Sequence, residues 1–109
     1  EENDSMTDAD KICIADLAKW AKRVREGHGF ETTKENMLEK LMLVVTEVAE
    51  AAEDVRHGAW DHFPEEIADI CIHVFDIAAT LDFDLEAAIV EKMVKNEARP
   101  YLHGKKVRV

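Results

Sequence analysis

Four carboxylates sit where a small protein would normally keep oil. In "LMLVVTEVAEAAEDV" (Leu41 to Val55), Glu47 and Glu50 lie three residues apart. In "PEEIADICIHVFDIAATL" (Pro64 to Leu81), Glu66 and Asp69 repeat that spacing. Residues at i and i+3 are neighbours on a helix surface, so each pair makes a two-carboxylate edge. The short turn through Trp60 predicts that the two helices pack antiparallel, which lets the edges face each other. Four carboxylates that close repel one another and are driven to take up protons, and a divalent cation removes that cost. Oxygen ligands favour Mg²⁺, Mn²⁺ or Ca²⁺ over zinc. Mg²⁺ in particular keeps waters and shares its shell with substrate phosphates. A di-iron centre in a helical bundle calls for Glu-x-x-His on two helices, and no Glu in this chain has a His three residues later.

A second group of residues suits phosphate. Lys92, Lys95, Asn96 and Arg99 follow the spacing i, i+3, i+4, i+7 and share one helical face. Two ammonium groups, an amide and a guanidinium on one face can hold phosphate oxygens. His73 lies one turn beyond Asp69, and Asp76 one turn further, on the same stripe.

The elements that must carry these residues are helices. Apolar spacing predicts a first helix from about Thr7 to Glu26, stopped by "GHGF". Thr32 followed by Glu35 matches a capping box, so a second helix is expected from there to about Arg56, ended by Gly58. Pro64 suits the first turn of a third helix reaching about Leu81. Asp84 is expected to cap a fourth, which runs to about Arg99 before Pro100. The tail "YLHGKKVRV" reads as irregular, and no stretch alternates as a strand would. The expected fold is all-α with four helices.

The second helix has a predicted core face of Leu38, Leu41, Met42, Val45, Val48, Ala49 and Ala52. Its polar strip of Glu47, Glu50 and Asp54 lies opposite. The third is apolar on both sides of its stripe of Glu66, Asp69, His73 and Asp76. Helices that are apolar on two sides need two layers of neighbours, and self-association supplies them. The acidic strips would then line a cleft.

Composition narrows the function classes. The net charge of −10 argues against a nucleic-acid partner, whose phosphates need Lys and Arg to neutralise them. Cys13 and Cys71 have no CxxC partner and lie among apolar residues, so buried free thiols in a reducing cytoplasm are expected. No apolar run is long enough to span a bilayer, and a membrane partner is not expected. The chain reads as one domain over residues 7–109. Residues 1–6 read as an expression scar or a disordered N-terminus, with Met6 as the native start.

Taken in order, Glu47-x-x-Glu50, a fifteen-residue spacer, Glu66-x-x-Asp69 and the downstream "KMVKNEARPYLHGKK" resemble the MazG-type all-α nucleoside triphosphate pyrophosphohydrolases. The resemblance covers about Leu17 to Lys106. It implies Mg²⁺-dependent (or Mn²⁺-dependent) cleavage between the α- and β-phosphates, giving a nucleoside monophosphate and pyrophosphate, in nucleotide-pool housecleaning. It also implies that Glu47, Glu50, Glu66 and Asp69 bind metal, and that Lys92, Lys95, Asn96 and Arg99 grip phosphates. His73 would touch sugar or base. A base pocket would involve the first helix and often a second subunit in a homodimer or homotetramer; Trp20, Phe30, Trp60 or Phe63, aromatic and near helix ends, could stack on the base. Some relatives carry a further Glu directly before the first motif, where this chain has Thr46. The base is therefore open between Glu47, Glu50 and metal-activated water. Two alternatives stand beside this reading: a phosphoribosyl-ATP pyrophosphatase of the same superfamily, and a non-catalytic metal-binding helical oligomer.

Overall fold

Three of the helix ends are closed by the same device. After the first helix, Gly29 takes a positive φ of 82° while its N–H donates to the Glu26 carbonyl and that of Phe30 to Arg25. Gly58, at φ 67°, does the same after the second, with its own N–H to Val55 and that of Ala59 to Asp54. After the third, Asp82 takes φ 57° and the donors are Asp82 and Phe83. Each is a Schellman closure, which satisfies the last carbonyls and turns the chain back on itself.

The result, a computed structural model describing residues 11–101, has four helices: α1 (Ile14–Gly27), α2 (Met37–Arg56), α3 (Phe63–Leu81) and α4 (Leu85–Glu97). No strand occurs among the described residues. Both α1 and α2 pack against α3, whereas α4 lies mainly along α1. Pro64 occupies the first turn of α3, and the Asp84 carboxylate caps α4 by accepting from the Ala87 N–H at 3.0 Å. The expected start of the first helix at Thr7, the leader before it and the tail from Leu102 lie outside the described residues.

Two helix starts differ from expectation. α1 begins at Ile14, where the Asp16 carboxylate reaches back to the Cys13 N–H and thiol. α2 begins at Met37 because Thr32 is not its cap. The Thr32 hydroxyl instead donates to Asp76 on α3 at 2.9 Å. The reciprocal capping pair sits one residue along: the Thr33 N–H donates to the Asn36 side chain and the Asn36 N–H to the Thr33 hydroxyl.

The interior is made of small residues. Ala18, Ala21, Ala51 and Ala78 are the buried apolar residues among those described, and no large side chain there is fully buried. The expected core face of α2 points outward, with Leu38 81% and Met42 60% exposed, and Leu41, Val45 and Val48 open as well. Its acidic strip faces α3 instead. The two thiols are free, but both are exposed rather than buried: Cys13 precedes α1, and Cys71 sits on an open side of α3.

A largely buried polar contact joins α1 to α3. The Arg25 guanidinium donates to both oxygens of Asp76 (Nε 3.1 Å, Nη2 3.0 Å) and to the Thr80 hydroxyl, and also reaches the Phe30 carbonyl. Burial pushes the Asp76 carboxyl up, but the hydrogen bonds from Arg25, Thr32 and Thr80 outweigh it and hold the group below its ordinary value.

Candidate metal centre

The inward face of α2 and the stripe on α3 bring carboxylates together. Glu47, Glu66 and Asp69 each place an oxygen within 4.8 Å of the others. Ligands at 2.0–2.1 Å from one Mg²⁺ would stand roughly 3–4 Å apart, so a small inward movement closes the group on an ion. Glu66 is 7% exposed, and its Oε2 has no hydrogen-bond partner. Glu47 Oε2 is likewise buried and unpartnered. Burial, then the neighbouring charges of Glu50 and Asp69, push the Glu47 carboxyl up, with His73 opposing. Burial also raises Glu66, reinforced by Glu50, Asp54 and Glu47. Oxygen donors that are buried, mutually repelling and without protons to accept fit a hard divalent cation.

Glu50 is exposed at the edge of this group, close enough for its charge to act on both Glu47 and Glu66. His73 stands one turn along α3 with Nε2 3.7 Å from Glu47 Oε1. Asp76, the last residue of the stripe, is taken by Arg25 and Thr32. So the stripe divides: Glu66, Asp69 and His73 turn to α2, and Asp76 fastens α1. Thr46 offers no carboxylate, and its hydroxyl donates to the Met42 carbonyl of its own helix.

Lys92, Lys95, Asn96 and Arg99 all lie exposed at the C-terminal end of α4 and beyond it. α4 packs mainly on α1, and among the described contacts none joins Lys92, Lys95 or Asn96 to the carboxylates. Trp20, about half exposed, lines an apolar groove of about 490 Å³ between α1 and α3 with Leu17, Val24, Ile72 and Phe75.

Sequence reasoning passed over His62. It immediately precedes α3, with Nδ1 2.9 Å from Asp54 Oδ2 and 3.4 Å from Glu66 Oε1. Its hydrogen bond to Asp54 and the surrounding carboxylates push the imidazole up. Two signals pointed to it: Asp54 continues the strip of Glu47 and Glu50, and His62 lies four residues before Glu66.

The model of the MazG nucleotide pyrophosphohydrolase domain matches residues 32–103. The chain belongs to the MazG family. The match takes in α2, α3 and α4 and leaves α1 outside, so the helix that locks Asp76 precedes the matched region of this MazG domain. No curated protein and no solved structure matches the chain. No helix among the described residues is long and apolar enough to cross a membrane.

Proposed function

We propose that this MazG domain hydrolyses a nucleoside triphosphate, ribo or deoxy, to the monophosphate and pyrophosphate with Mg²⁺, in cytoplasmic housecleaning of the nucleotide pool. The observation that carries the reading is the pair of buried, unpartnered oxygens on Glu47 and Glu66 beside Asp69. Glu47, Glu66 and Asp69 would hold the ion, with Glu50 at its open edge. A bound cation would neutralise phosphate charge and favour in-line attack by water. Glu47 or Glu50 would orient that water and accept its proton, or the metal alone would activate it. His73, beside Glu47, would meet the sugar or base, and Trp20 would stack on the base. Lys92, Lys95, Asn96 and Arg99 would grip the phosphates.

The functional unit proposed is a homodimer or homotetramer. Support comes from the open face of Leu38, Leu41, Met42, Val45 and Val48, an apolar stripe larger than scattered surface residues account for. Sedimentation across a concentration series tests it, and a monomer at all concentrations refutes it.

The reaction is tested by incubating the protein with ribo- and deoxynucleoside triphosphates, with Mg²⁺ or with EDTA, and separating the products. Monophosphate and pyrophosphate formed only with metal is the expected result. Diphosphate and phosphate would mean that the wrong bond is cleaved. No turnover on this panel but cleavage of phosphoribosyl-ATP would move the assignment to that substrate. Metal binding without turnover on either would leave a non-catalytic oligomer.

A further inference from the structure

We propose that Asp54, His62 and Glu66 form a second cation position, sharing Glu66 with the Glu47–Glu66–Asp69 group and preferring Mn²⁺ or another borderline divalent ion to Mg²⁺. The three side chains each place one donor atom within 4.8 Å of the others. His62 Nδ1 faces the two carboxylates, at 2.9 Å from Asp54 Oδ2 and 3.4 Å from Glu66 Oε1. Its other ring nitrogen, Nε2, stands 3.4 Å from Glu65 Oε2. In this structure the ring's hydrogen bond runs from Nδ1 to Asp54; with an ion on Nδ1, Glu65 would take the distal N–H and fix the tautomer, as carboxylates do around metal-bound imidazoles.

Glu66 is what makes the position more than a surface cluster. Its side chain is more than nine-tenths buried, with Oε1 turned to His62 and Oε2 unpartnered. A carboxylate so placed has an oxygen for each of two ions. The backbone sets where these residues stand. Asp54 gives its carbonyl to Ala59 in the closure of α2, and the tight return sets His62 directly before α3, one turn from Glu66. Two carboxylates and an imidazole suit first-row divalent ions, whose affinity for nitrogen exceeds that of Mg²⁺.

The competing account of the same contacts is an imidazolium bridging two carboxylates, and a titration tells the two apart. The metal-free full chain is titrated with Mn²⁺, counting bound ions by the EPR signal of the free ion, and pulsed EPR records coupling to ¹⁴N. The expected result is two Mn²⁺ per chain, one of them nitrogen-coupled. Excess Mg²⁺ displaces the other ion first. His62→Gln leaves one Mn²⁺ per chain with no nitrogen coupling and unchanged helicity, whereas His73→Gln keeps both ions and the coupling. Glu65→Gln weakens the nitrogen-coupled ion by about 10–100-fold. A single Mn²⁺ in the wild type, two without nitrogen coupling, or coupling that survives His62→Gln or vanishes with His73→Gln would overturn the proposal. Because the position borrows Glu66 from the proposed hydrolytic centre, turnover is not its readout. The hydrolysis panel can fail with the nitrogen-coupled ion intact, and the reverse.

Discussion

Replacing Asp76 by Asn separates what fastens the fold from what binds the ion. Asp76 accepts from Arg25 through Nε and Nη2, from Thr32 and from Thr80. An amide at that position has one acceptor oxygen, and its NH₂ meets guanidinium donors. Arg25, 16% exposed, would keep the Phe30 carbonyl and the Thr80 hydroxyl but lose its counter-charge. Breaking a buried pair from one side costs about 3–5 kcal/mol, and the two surviving acceptors place this case near 3. For a domain of this size, about 3 kcal/mol corresponds to a fall in Tm of roughly 12–24 °C.

The pH dependence gives a second check on the same variant. The folded carboxyl of Asp76 lies below its unfolded value of about 3.9, so its contribution is complete well above that pH and is lost as pH falls through the folded value. The gap between wild type and Asp76→Asn should therefore be full at neutral pH and close in acid. Thermal melts by circular dichroism, at one protein concentration and across a pH series, measure both quantities. Mn²⁺ affinity of the folded variant should be unchanged. A loss below about 1 kcal/mol, or a gap that persists in strong acid, would refute the claim that this ion pair is buried and clamps α1 to α3.

Other expectations follow from the same geometry. Glu66→Gln removes a buried charge whose folded carboxyl lies above its ordinary value, so the metal-free variant should melt above wild type at pH 7. Saturating Mn²⁺ should invert that order, because the wild type alone keeps the full ligand set. Met42→Glu places a charge on the open apolar face of α2 and should yield monomers by sedimentation at concentrations where wild type associates. Ala78→Leu, at a position 1% exposed, should wedge open the packing of α3 and cost about 1–3 kcal/mol in denaturant unfolding. Asp82→Gly, at φ 57°, should stabilise by up to about 1 kcal/mol in the same assay, since Gly occupies the left-handed region without strain.

Much of this architecture was legible in the residues. Pro64, Gly58 and Asp84 mark helix boundaries because their backbone chemistry is local. The two carboxylate pairs announced acidic edges on two facing helices, because their spacing is a surface property of one helix. What the residues hid depends on distant partners. Thr32 looks like a helix cap in sequence but spends its hydroxyl on Asp76, forty-four residues away. Leu38, Met42 and Val45 read as core because their periodicity shows that a face is apolar without showing what covers it. His62 went unseen because its meaning comes from Asp54, across a turn. The family model matches α2 to α4 and the residues just after them, where the spaced motifs lie.

An interior assembled from alanines has a consequence for how this protein comes apart. The denaturant sensitivity of an unfolding transition scales with the surface it newly exposes. A lone chain whose buried apolar residues, among those described, are Ala18, Ala21, Ala51 and Ala78 has little to uncover, so it should lose its structure over a broad span of urea. Any partner that covers the Leu38–Val48 face adds hidden surface and sharpens the curve. The steepness of one unfolding trace, followed as the sample is diluted, thus reports how much of the molecule's oil is hidden by its neighbours rather than by itself.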